Sequence, residues 1–182
     1  MNHSIFYDMS VPDNERRRQL FDGQLLVFSP RHSTRAFVSF ARNLIGDAFA
    51  PFNPETAQYE MPVEQYADIL IKLKPAFIHH PESKRLMREI FIEMGCDLEK
   101  TYFDVPKMRS STSDNYLTTG IAYAWHPHRD TWYSAPSCQI NWWIPIYDIQ
   151  SENAMAFHPQ YWNIPVQNSS KGSLLSKIAE TR

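Results

Sequence analysis

At 182 residues the chain suits one domain with a sizeable core, and 43% apolar with 14% aromatic residues exclude a disordered or low-complexity protein. Its 18 basic against 20 acidic residues leave no basic field to bind nucleic acid or an anionic membrane by electrostatics alone. Cys96 and Cys138 form no metal-spaced or redox pair, residues 1–8 lack the blocks of a signal peptide, and no apolar run reaches membrane-spanning length, so a cytoplasmic protein is expected.

Residues 1–18 are polar and read as a surface arm. Residues 23–28 read as a short strand, closed by Ser29-Pro30. Ser33 is placed to cap a helix in which Phe37, Phe40, Ala41, Leu44, Ile45 and Ala48 form one apolar stripe. Pro51, Pro54 and Pro62 mark the next stretch as a loop. Tyr66, Ile69, Leu70, Leu73 and Phe77 recur at three and four, which predicts a second helix that Pro75 ends or kinks. Pro81 suits the first turn of a third helix, with Leu86, Met87, Ile90, Phe91 and Met94 inward and Gly95 stopping it.

After Gly95 the periodicity changes. Residues 101–105, 116–125, 138–147 and 154–157 are β-branched or aromatic runs bounded by Pro, Ser and Asn, and read as strands. Helices first and strands later predict an α+β chain with a mainly β core rather than a βαβ sheet. The sequence contains no internal repeat and no Gly-rich phosphate loop.

Chemistry concentrates where the 116–125 run ends, in His126-Pro127-His128-Arg129-Asp130-Thr131-Trp132-Tyr133. In extended chain His128 and Asp130 share a face, supplying two thirds of the 2-His-1-carboxylate set that holds non-haem Fe(II) with open positions. His126 is the rival first ligand, although Pro127 distorts the path between it and Asp130. The same His–Asp pair can instead serve as a hydrogen-bonded surface pair that steadies a turn. Gln139 and Asn141 share parity with Trp143, and two amides on one face of an apolar strand point to a polar cavity, because buried amides need partners. Adjacent Trp142 and Trp143 read more simply as core on opposite faces. His126, Trp132 and Gln139 are further cavity candidates.

The order His128-x-Asp130, a strand bearing Trp143, and then Glu152-Asn153-Ala154-Met155-Ala156-Phe157-His158-Pro159 resembles the phytanoyl-CoA dioxygenase-like group. These are Fe(II)- and 2-oxoglutarate-dependent oxygenases on a double-stranded β-helix, or jelly roll. The resemblance covers roughly residues 120–162. It implies one jelly-roll domain over 1–182, with an arm (1–18), a helical layer behind the barrel (33–95), barrel strands (101–162) and a tail (163–182). It also implies His128 and Asp130 as iron ligands and as the catalytic pair, with Trp143 and Asn141 beside the 2-oxoglutarate, and a small-molecule substrate.

The family's second histidine and its arginine for the far carboxylate of 2-oxoglutarate have no counterpart after His158, which is left as a substitute ligand beside His126. Residues 167–182 read as a loop and a short helix with Leu174, Leu175 and Ile178. The resemblance thus implies a jelly roll missing its last strands, whose open edges invite self-association. A silent jelly-roll binding module is the alternative function, and a cupin-like protein using another metal the third.

Overall fold

The computed structural model describes residues 5–117, 127–133 and 135–166. Its frame is helical, and the spacing of apolar residues explains why. Helix α2 (His32–Phe49) buries Phe37, Ala41, Ile45 and Phe49, with Phe40, Leu44 and Ala48 partly covered beside them. Helix α3 (Val63–His79) buries Tyr66, Leu70, Leu73 and Phe77, and α4 (Pro81–Glu93) buries Leu86, Met87, Ile90 and Phe91. Two clusters result. One joins α2, α4 and the end of α3 around Phe37, Phe77 and Leu86, and the other joins α2 to α3 around Phe49, Tyr66 and Leu70. Partly buried Leu44, Met108 and Ile146 pack against both.

The junction between α3 and α4 is tight. Pro81 opens α4, the His80 ring accepts from the Glu82 amide at 3.1 Å, and fully buried Ser83 donates to the Phe77 carbonyl at 2.6 Å. Side chains thereby satisfy one free donor and one free acceptor at adjoining helix ends. Gly95, at φ 68°, adopts the left-handed conformation that ends α4 as expected. Pro75 neither ends nor bounds α3, which continues to His79. Ser33 lies inside α2 rather than capping it, and its hydroxyl and amide both bond the Glu93 carboxylate on α4.

The amino-terminal stretch does more than its polarity announces. It holds strand β1 (Ile5–Tyr7) and helix α1 (Asp13–Phe21), followed by β2 (Leu25–Val27). Arg16 is 6% exposed and donates to the Met94 carbonyl at the end of α4, to Asp13 and to the Cys96 sulfur at 3.1 Å. The arm expected over 1–18 is therefore docked from Asp13 onward by a buried guanidinium.

The jelly roll expected for the second half is overturned. Among the described residues the strands are β1 and β2 alone, paired in parallel with Ile5 opposite Leu25 and joined by α1. The runs at 101–105, 138–147 and 154–157 form no strand, and most of the run at 116–125 lies outside the described residues. The physical reason shows best at 141–147. Trp142, Ile144 and Ile146 pack on the helices while Asn141, Trp143 and Pro145 are exposed, so the period-two pattern is obeyed. Alternation fixes which side of an extended segment meets apolar surface, but a ladder also needs a second backbone to receive its hydrogen bonds. Here the helical layer takes the apolar side: Trp142 meets Phe91 edge-on at 5.9 Å, and Arg42 on α2 donates to the Ile146 carbonyl at 2.6 Å. No described helix is long and apolar enough to cross a membrane.

Candidate functional site

The extended segment from Gln139 to Tyr147 crosses the helical layer and carries its outward side chains away from it. Opposite lies a single 3-10 turn, Asp130–Tyr133, closed by the Trp132 amide donating to the Arg129 carbonyl at 2.9 Å. Asp130 opens that turn. Its neighbour His128 places Nε2 3.5 Å from Asp130 Oδ1, so the imidazole and the carboxylate stand together, here at the start of a 3-10 turn rather than on the extended chain expected.

The other carboxylate oxygen of Asp130, Oδ2, accepts from the side-chain amide of Asn141. Asn141 in turn accepts from the Gln139 amide at 2.7 Å. With the Asn141 oxygen held by Gln139, its NH2 group is turned toward Asp130. Four of the candidates named from sequence, His128, Asp130, Gln139 and Asn141, therefore meet in one polar cluster. Trp143 shares the outward parity of Asn141 and is 48% exposed. Trp132 is half-buried on the 3-10 turn.

The remaining histidines differ. His158 precedes a second 3-10 turn, Pro159–Tyr161, with its ring 6.5 Å from that of Tyr161. Among the described residues no three His, Cys, Asp or Glu side chains converge as a metal-binding group, so His158 does not complete a set with His128 and Asp130. His126 lies outside the described residues.

Whether the pair fits a metal can be judged from its spacing. Donors held about 2.0–2.2 Å from one ion stand roughly 2.8–3.6 Å apart for angles between octahedral and tetrahedral. The 3.5 Å between His128 Nε2 and Asp130 Oδ1 lies in that range, and Oδ1 is the oxygen that Asn141 does not occupy. The pair thus fits two positions on a divalent ion.

Sequence reasoning passed over Arg129. Its guanidinium donates to the carbonyls of Tyr161 and, at 2.7 Å, Ile164, so it is committed to backbone rather than to an anion. A cation between two candidate ligands was a legible signal, but its partners lie more than thirty residues on and leave no local trace.

No family model, characterised protein or solved structure matches this chain.

Proposed function

We propose that His128 and Asp130 hold Fe(II), and that the chain acts as an Fe(II)- and 2-oxoglutarate-dependent oxygenase on a small-molecule substrate. The observation that carries this reading is the Asp130 carboxylate, flanked by His128 on Oδ1 and anchored by Asn141 on Oδ2. Metal-binding carboxylates are commonly oriented by such an outer partner, which fixes which oxygen points at the ion. Asn141 sets that rotation, and Gln139 sets Asn141. When bound, iron and 2-oxoglutarate would supply the oxidative chemistry with O2 as the oxidant, one oxygen atom entering an unactivated C–H bond and the other the succinate formed from 2-oxoglutarate with loss of CO2. The chain's own part is to present two donors on one side and leave the remaining positions open.

A second reading, a binding module without turnover, is favoured by two observations. The described residues offer two donors rather than three, and Arg129 is already bonded to backbone. Both readings predict weak binding. An anaerobic titration with Fe(II) and 2-oxoglutarate, followed by a succinate assay in air, separates them. Binding lost in His128→Ala and in Asp130→Ala, with slow succinate formation in the parent chain, supports the oxygenase. Binding without succinate leaves the silent module, and binding unchanged in both variants removes the metal assignment altogether.

A further inference from the structure

His128 and Asp130 sit on no long helix or strand, so some other device must hold them against the helical frame. The structure shows one. Arg129 lies between the two donors in sequence, and its guanidinium bridges the carbonyls of Tyr161 and Ile164. Those carbonyls lie at and just beyond the carboxyl end of the Pro159–Tyr161 turn, where the Tyr161 carbonyl also accepts from the Ile164 amide at 3.3 Å.

That turn is seated on the frame by the next residue. The Trp162 indole N–H donates to the Phe21 carbonyl at 3.3 Å, at the last residue of α1. Its ring lies directly on Gly23. A Cβ built there would stand 2.8 Å from Trp162 Cδ1 and 2.9 Å from Cγ, closer than side chains pack. Gly23 also has φ 82°, so both the backbone and the ring above it call for glycine.

We propose that Arg129 and Trp162 are positioning residues for the metal centre: Trp162, seated on Gly23 and Phe21, fixes the carbonyls that Arg129 grips, and Arg129 fixes the backbone between His128 and Asp130. The metal aspect rests on the function proposed above, whereas the clasp itself can be read without metal. Arg129 acts through its two backbone contacts. It restricts the freedom of the segment that carries both donors.

The test uses the full chain, with Co(II) as a spectroscopic probe and hydrogen exchange read at the amides of residues 128–133. Gly23→Ala and Arg129→Gln should each speed exchange there while leaving α2 and α4 protected, and each should weaken Co(II) binding about tenfold. Arg129→Lys should recover part of the loss, because it restores a donor without the fork. The double variant should be no worse than the worse single, since both break one chain of contacts. Should Gly23→Ala lose its helical signal, Trp162→Ala, which empties the same seat, takes its place. Unchanged exchange at 128–133 in both Arg129→Gln and the seat variant would overturn the clasp, whatever the metal does. A parent chain that binds no Co(II) would sink the metal centre instead, leaving exchange alone to judge the clasp.

Discussion

Asn141 donates its side-chain amide to Asp130 across 11 residues of sequence, joining the extended segment that crosses the helices to the turn that follows His128. This one contact ties the candidate donors to a segment whose other face is packed on α2 and α4 through Ile144, Ile146 and Trp142. If the carboxylate is held for a metal, Asn141→Ala should lower divalent-metal affinity about tenfold, the usual scale for losing an outer partner. Gln139→Ala should have a smaller effect in the same direction, because it frees the Asn141 amide without removing it. Calorimetric titration of both variants checks this, and equal affinity in Asn141→Ala and the parent would remove Asn141 from the site.

The helical core should carry the stability. Leu86 and Ile90 are each 2% exposed at the centre of the α2–α4 contact, so Leu86→Ala should cost about 3 kcal/mol through lost burial and a residual cavity. Ile92, on the outer face of the same helix and 56% exposed, should tolerate alanine within about 0.5 kcal/mol. Urea unfolding followed by helical circular dichroism measures both. A Leu86→Ala loss no larger than that of Ile92→Ala would contradict the packing.

Acid should loosen the contacts that Asp13 makes within α1. Partial burial pushes the Asp13 carboxyl up, but its bonds to Arg17 and Arg16 together outweigh that and hold it below its ordinary value. A depressed folded value stabilises the ionised state, so the contribution is complete above the ordinary aspartate value of about 3.9 and fades as pH falls below it, through the folded value. The stability gap between the parent and Asp13→Asn should therefore be constant near neutrality and close on acidification. A gap that widens toward low pH would reverse the assignment.

The two thiols should differ in reactivity. Burial pushes the Cys96 thiol up, with Arg16 beside it pulling the other way, and Cys138 lies exposed. At pH 8 iodoacetamide should modify Cys138 first, with Cys96 slower by roughly tenfold because less of it is thiolate and less of it is accessible. Mass spectrometry of a timed reaction decides it, and faster labelling of Cys96 would show that Arg16 outweighs burial.

The three long helices were legible because each carries its own apolar stripe at a spacing of three and four, and Pro81 and Gly95 mark ends by backbone chemistry alone. Because they are only two residues apart, the nearness of His128 and Asp130 was also legible, although Asp130 opens a 3-10 turn where the end of a strand was expected. Helix α1 was not. It is polar up to its last two residues, Leu20 and Phe21, and is held by Arg16 reaching Met94 and Cys96, residues 78 and 80 positions away. The jelly roll failed on similar grounds, since alternation at 141–147 names an apolar side without naming what covers it, and the helices cover it here.

Sequence by itself therefore determined the three long helices, their inward faces and the nearness of His128 to Asp130, because those depend on neighbours a few residues apart. Tertiary structure decided which partner each face received: Glu93 for Ser33, the helical layer for Trp142, Asn141 for Asp130, and Gly23 for Trp162. Such partners are chosen by which surfaces meet when the chain closes on itself. No local periodicity encodes that meeting, because the residues that make it are brought together only by the fold.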